Sequence, residues 1–113
     1  MTGSGVTETS KLLDSRPELT GTNREKLLST IQNKDLWKEA NELYRPGGKI
    51  GDGGTAAILR DEYINGNSKH LQKAVERLDN LKDLAKSGNL GLNDLDIIES
   101  LIFDLEDAIS LFD

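Results

Sequence analysis

The stretch from Tyr44 to Glu62, YRPGGKIGDGGTAAILRDE, constrains the fold more than any other part of the chain. It contains five of the eleven glycines and one of the two prolines, and these residue types interrupt helices. The sequence on both sides of it has the apolar spacing of amphipathic helices instead. We therefore expect a helical protein with one constrained loop at its centre.

Apolar residues that recur every three or four positions predict an all-α fold, a small bundle of about five helices. The glycine-rich loop separates the second helix from the third. The short connector SGNLGLN lies between the last two helices, so we expect these to pack as an antiparallel helical hairpin. The first predicted helix begins at Thr22. The other four cover about 34–44, 56–64, 68–87 and 93–112.

Helix-capping residues mark several of these boundaries. Thr22 and Glu25 fit a capping box, and Asn33 is placed to cap the second helix. Thr55 is a good N-cap for the third helix, and Asn65-Gly66 is a C-cap signal. The lone tryptophan, Trp37, lies on the apolar stripe of the second helix, where a core position is the expected one.

The length of 113 residues fits one domain. Residues 1–21 are rich in Gly, Ser and Thr and are expected to be a flexible tail or linker from a larger carrier, while 22–113 form the helical domain. The absence of cysteine excludes disulfides, cysteine-bound zinc and thiol catalysis. No apolar run is long enough to span a membrane, and the first residues do not resemble a signal peptide.

The net charge of −6 is distributed unevenly. Residues 34–77 hold eight bases and seven acids, whereas residues 78–113 hold two bases and nine acids. An acidic chain is not a general nucleic-acid binder. A local basic face in the middle third is still compatible with this composition.

Candidate functional side chains concentrate in that middle third. His70 is the only histidine, and it stands three residues before Lys73 at the edge of a predicted buried face. Histidine is the side chain most suited to proton transfer near neutral pH. The candidate catalytic residues are His70, Glu62, Arg60 and Lys73, and the candidate substrate-binding residues are Arg45, Lys49, Asp52 and Thr55.

Each candidate also has a purely structural interpretation. The loop GKIGDGGT precedes a helix as phosphate-binding loops do, yet it lacks the Walker motif and the strand of a dinucleotide fold. Its glycines are equally explained by positive φ angles in a sharp turn. His70 fits an exposed position near a helix start, and Arg60 fits a surface ion pair.

These residue types suit metal-independent RNA cleavage. In that reaction a base deprotonates the 2′-hydroxyl, an acid protonates the leaving 5′-oxygen, and cations stabilise the phosphorane. Glu62 or His70 fits the acid and base roles. Asp52, Asp61 and Glu62 lack the spacing that is diagnostic of Mg²⁺, so neither a metal nor another cofactor is predicted.

The central motif also resembles a known toxin family. NELYRPGGKIGDGGTAAILRDE, KHLQK and a closing DLEDAI are similar to C-terminal toxin domains of bacterial polymorphic toxins of the Rhs, contact-dependent-inhibition and LXG types. The family pattern is close to LYRPxAxIGDGGTADAIRxE followed by HxxK. Gly48 replaces its alanine and Ala57-Ile58-Leu59 replaces DAI, both expected to be harmless. The connection from Glu62 to His70 is short, which affects how His70 faces the loop.

The resemblance implies an antibacterial toxin domain, secreted within a larger protein and delivered to the cytoplasm of target bacteria. It further implies a cognate immunity protein as partner and, because relatives include ribonucleases, RNA as substrate. The matching motif positions are Arg45, Asp52, Thr55, Arg60, Glu62, His70 and Lys73. Two alternatives stay open: a non-catalytic helical binding module whose acidic last third is the interaction face, and an enzyme acting on another phosphate-bearing substrate.

Overall fold

The computed structural model describes Leu19 and residues 21–113. This part of the chain is mostly helical but also contains a small two-stranded antiparallel sheet, so the predicted all-α class is right for the helices and incomplete as a whole. In chain order the elements are α1 (Arg24–Thr30), α2 (Lys34–Leu43), β1 (Tyr44–Lys49), β2 (Asp52–Gly54), α3 (Thr55–Ile64), α4 (Leu71–Lys86) and α5 (Leu92–Ser110).

The glycine-rich segment that was predicted as a loop is a β-hairpin. Tyr44 pairs with Gly54 and Lys49 pairs with Asp52, in antiparallel register. The turn between the strands contains Gly51 with a φ of 94°, a conformation that residues with a side chain rarely adopt. Glycines occupy both faces of the hairpin, so the apolar and polar residues do not alternate and the strands leave no signature in the sequence.

Glycine is also required in this hairpin because backbone and side chains approach closely. A Cβ atom at Gly48 would lie 2.6 Å from the carbonyl oxygen of Gly53. The toxin-family pattern has alanine at this position, and the added Cβ atom would not fit in this hairpin unless the backbone moved. At Gly54 a Cβ atom would lie 2.3 Å from the Tyr44 ring and 2.7 Å from the Leu43 carbonyl oxygen.

Replacing Gly54 with alanine is expected to lower the free energy of unfolding by about 1–3 kcal/mol, because the added methyl group overlaps the buried Tyr44 ring. Urea denaturation followed by circular dichroism measures this loss. Gly91→Ala is the matched control, since a Cβ atom there meets nothing within 4 Å. Equal stability of the two variants would contradict the close approach at Gly54.

The helix caps agree with the sequence in two places and differ in two. Asn33 caps α2 by accepting from the Asp35 and Leu36 amides at 2.9 and 3.0 Å, as predicted, and Asn65-Gly66 ends α3. The cap of α1 is Asn23, not Thr22. Thr55 was also wrong as a cap, because β2 runs directly into α3 and places Gly54 there.

The other boundaries shift by a few residues. α4 begins at Leu71 with His70 as its N-cap residue, three positions later than predicted, and Ser68 lies outside it. α4 and α5 pack against each other, joined by a five-residue connector. Lys82 on α4 also forms an ion pair of 2.9 Å with Glu106 on α5. Their antiparallel direction stays a prediction.

One apolar core joins the helices and the hairpin. Trp37 was predicted to belong to it but is 41% exposed, because Leu36, Ala40 and Leu43 form the buried side of α2. Leu19, at the end of the predicted tail, packs against this core. Gly21 of that tail is also described, and its amide donates to the Ile50 carbonyl oxygen at 2.9 Å, whereas 1–18 and Thr20 lie outside the described residues. Within the described residues no helix is both long and apolar enough to cross a lipid bilayer.

Candidate active site

The central feature of the candidate site is a hydrogen-bonded pair, Glu62 and His70. Glu62 is on α3 and its side chain is 9% exposed, whereas the His70 side chain is 52% exposed. The Glu62 carboxylate accepts from the backbone amide of His70 at 3.0 Å and contacts the ring nitrogen Nδ1. Two bonds to one carboxylate fix both the backbone and the ring of His70.

This contact determines which ring nitrogen is available for chemistry. The hydrogen bond from the His70 side chain lowers the pKa of Glu62 despite its burial, so the carboxylate is ionised at neutral pH. An ionised carboxylate only accepts hydrogen bonds, so Nδ1 carries a proton. The remaining nitrogen, Nε2, is the atom of His70 that can take up or release a proton.

His70, whose side chain is half exposed, lines a cavity of about 200 Å³. A second cavity of about 350 Å³ adjoins it, since Glu42, Thr55 and Ile58 line both. We call the two cavities together the basic groove. Its charged lining residues and His70 are Arg24, Glu42, Arg45, His70, Lys73 and Arg77.

The groove has the opposite charge from the protein as a whole. Four of its lining residues are Arg or Lys and one is a carboxylate, although the chain carries a net charge of −6. A separate cavity of about 360 Å³ between α2 and α4 is lined by Asp35, Glu39 and Asp83 with Lys38 as its only cation. Phosphate groups are therefore attracted to the basic groove and repelled from that cavity.

The structure brings together five of the eight sequence-predicted site residues. Arg45, Thr55, His70 and Lys73 line the groove, and Glu62 lies behind His70. Thr55 donates its hydroxyl proton to the Leu43 carbonyl oxygen at 3.3 Å, which leaves the hydroxyl oxygen as an acceptor.

The other three predicted residues are placed elsewhere. Lys49 and Asp52 flank the hairpin turn, and neither lines the groove. Arg60 points to α5, where its guanidinium contacts Asp104 at 2.9 Å and Asp107 at 3.2 Å. The ion-pair interpretation of Arg60 is therefore the one the structure shows. Its distance in sequence from both acids explains why spacing did not reveal them.

A buried carboxylate holds the hairpin in place. Asp104 on α5 accepts from the Tyr44 hydroxyl at 2.9 Å, from the Gly51 amide at 3.2 Å and from Arg60. Burial, followed by the charge of Asp104, raises the pKa of Tyr44 well above its ordinary value, so the phenol stays protonated and donates. Asp104 thereby connects β1, the hairpin turn and α3 to one point on α5.

Two amides of the hairpin are hydrogen-bonded within the protein. The Gly51 amide donates to Asp104, and the Gly47 amide donates to the Glu25 carboxylate at 3.3 Å. Two backbone donors of the segment are therefore directed to carboxylates of the protein. The turn interpretation of the glycines is confirmed by positive φ angles at Gly47, Gly51 and Gly53.

Three charged residues of the groove were not among the eight predicted site residues. Arg24 comes from α1, Glu42 from the last turn of α2, and Arg77 from α4. Arg77 contacts Glu42 at 2.5 Å and Glu39 at 3.5 Å. Charged residues on exposed helix faces are common, so only the spatial neighbourhood separates these three from the rest. Among the described residues no group of three His, Asp or Glu side chains is placed to hold a metal ion.

No protein-family model matches the chain, and comparisons with curated proteins and with solved structures found no significant similarity. The toxin resemblance consequently rests on the sequence motif and stays a prediction. The geometry of the groove is independent of it.

The Glu62–His70 pair predicts a specific pH dependence of stability. The folded state lowers the pKa of Glu62 below its ordinary value of 4.5. Its ionised form therefore stabilises the fold fully above that value, and the contribution disappears as pH falls through the lowered pKa. The unfolding free energy of wild type and Glu62→Gln, measured from pH 7 down to pH 2, should converge at the acid end. A constant difference would contradict this origin.

Proposed function

We propose that this protein is an RNA-cleaving domain whose active site is the basic groove. The observation that carries the proposal is the Glu62–His70 pair: Glu62 fixes the imidazole through Nδ1, and His70 lines a cavity together with Lys73 and Arg77. A positioned histidine transfers protons, and cations attract and stabilise phosphates. A proton-transfer group next to phosphate-binding cations, on an otherwise acidic protein, supports the proposal.

The residues then take separate roles. Lys73, Arg45 and Arg77 bind the phosphate oxygens and stabilise the charge of the phosphorane. His70 transfers one proton through Nε2, and Glu62 holds the ring and stabilises its protonated form. In this reaction the 2′-oxygen attacks phosphorus and the bond to the 5′-oxygen breaks. The products are a 2′,3′-cyclic phosphate and a free 5′-hydroxyl.

The biological setting that we propose follows the motif resemblance. The domain is an antibacterial toxin that is secreted as part of a larger protein and acts in the cytoplasm of a target bacterium. A cognate immunity protein neutralises it. The sequence resemblance supports this setting, and the basic groove supports the ribonuclease activity within it.

Inducible expression in a bacterium without an immunity gene tests the proposal. We expect growth arrest, and total RNA on a denaturing gel should show discrete fragments. Growth arrest with intact RNA would support the toxin function but contradict the ribonuclease activity, and would point to another phosphate-bearing substrate. Normal growth in the presence of the folded, soluble domain would remove the toxin function.

A second candidate function is a non-catalytic binding module. It is favoured by an apolar surface formed by Tyr63, Ile64 and Leu111, which are 50%, 80% and 39% exposed. The Tyr63 ring packs edge-on against Phe112 with centroids 5.6 Å apart, at the end of the acidic α5. This function predicts a basic protein partner whose binding weakens strongly with salt and is unaffected by changes to His70.

A further inference from the structure

The cleavage reaction requires two proton transfers, one from the attacking 2′-hydroxyl and one to the leaving 5′-oxygen. Sequence reasoning assigned them to Glu62 and His70, but the structure makes these residues a single unit. The Glu62 side chain is 9% exposed and binds two of the three His70 nitrogens, the backbone amide and Nδ1. Glu62 therefore positions His70, and a different side chain has to perform the second proton transfer.

Glu42 occupies the position that this role requires. It lines both cavities of the basic groove, including the one that His70 borders. Among the described residues that line the groove it is the only carboxylate. Its side chain is 50% exposed, so a substrate hydroxyl can reach it. It comes from the end of α2, whereas His70 comes from the start of α4, so two separate elements supply the two groups.

Arg77 fixes the orientation of this carboxylate. Its guanidinium contacts Glu42 at 2.5 Å and the neighbouring Glu39 at 3.5 Å. Glu39 does not line the groove and is instead part of the acidic cavity between α2 and α4. Besides the Glu39 carboxylate, whose negative charge interacts with that of Glu42, the charged groups around Glu42 are the cationic and imidazole residues of the groove lining. They are Arg24, Arg45, His70, Lys73 and Arg77.

We propose, resting on the ribonuclease function above, that Glu42 is the second catalytic acid–base residue. In the forward step a Glu42 oxygen takes the proton of the 2′-hydroxyl while the 2′-oxygen forms a bond to phosphorus. The bond from phosphorus to the 5′-oxygen breaks, and protonated Nε2 of His70 gives its proton to that oxygen. The step ends with protonated Glu42 and neutral His70, and exchange with water restores both.

Purified wild type, Glu42→Gln, Glu42→Asp and Glu39→Gln, assayed on a mixed-sequence RNA oligonucleotide, test this role. Glu42→Gln is expected to lower kcat by about 100-fold or more with a small change in KM, because proton abstraction is lost while phosphate binding stays. The acid limb of its pH–rate profile should disappear. Glu42→Asp should retain that limb and partial activity, since it keeps the carboxylate. Glu39→Gln, which alters the same arginine from outside the groove, should stay within about threefold of wild type.

Three results would overturn the assignment. Full activity of Glu42→Gln would contradict the catalytic role of Glu42 but not the proposed ribonuclease function. Equal losses in Glu42→Gln and Glu39→Gln show that both act by positioning Arg77, which also removes the acid–base role. A wild-type protein that does not cleave RNA removes the proposed function and this assignment together. Thermal melting of each variant verifies that the fold is retained.

Discussion

Replacing His70 with alanine is expected to lower the rate of RNA cleavage by at least about 100-fold, because the only imidazole in the chain is lost. The fold should survive. His70 makes no side-chain capping bond to α4, and the backbone amide of residue 70 still donates to Glu62. The measurement is single-turnover cleavage of an RNA oligonucleotide, paired with growth inhibition on expression.

A second variant separates proton transfer from packing. His70→Gln keeps an amide that can bond to Glu62 but cannot exchange a proton near neutral pH, so it should be as inactive as His70→Ala. Gln72→Ala, at the second residue of α4 and outside the groove lining, is the matched control and should retain full activity. Activity in both His70 variants would place the chemistry elsewhere.

Replacing Asp104 with alanine is expected to destabilise the fold by about 3 kcal/mol or more. The change leaves the buried Tyr44 hydroxyl without its acceptor and Arg60 without its closest carboxylate, and breaking a buried charged pair costs this much. In a domain of this size the melting temperature should fall by more than about 10 °C. Calorimetry or thermal circular dichroism measures it.

Asp107→Asn is the matched control for that loss. Asp107 also contacts Arg60, at 3.2 Å, but its side chain is 61% exposed compared with 6% for Asp104. An exposed ion pair contributes at most about 1 kcal/mol, so this variant should melt close to wild type. Similar melting temperatures for the two variants would show that Asp104 does not organise the hairpin.

Local patterns in the sequence were sufficient to predict the helices. Apolar spacing located the five helices that the described residues form, and the Asn33 cap and the Asn65-Gly66 end were identified because capping involves only neighbouring residues. The proximity of Glu62 and His70 could also be predicted from the sequence, because only eight positions separate them. Lys73 follows His70 by less than one helical turn and shares its cavity.

The features that prediction missed depend on distant parts of the chain. The strands are held by Asp104, which lies 60 positions from Tyr44, and their residues show no alternation of apolar and polar side chains that would predict a strand. The direction of Arg60 is set by acids on α5. Glu42 resembles an ordinary exposed helix residue in the sequence, and only the folded structure shows that it lines a cavity with His70. Long-range contacts of this kind have no short-range signature.

The carboxylates of α5 have a consequence for how the chain acquires its structure during synthesis. Asp94 accepts from the Asn33 amide at 2.9 Å and Asp104 accepts from the Tyr44 hydroxyl, so both join the last helix to much earlier segments. Domains fold as units while the chain emerges from the ribosome. Residues 42–77, which supply most of the groove, therefore emerge before the helix that anchors their hairpin. We expect a nascent chain halted before α5 to be protease-sensitive and catalytically silent.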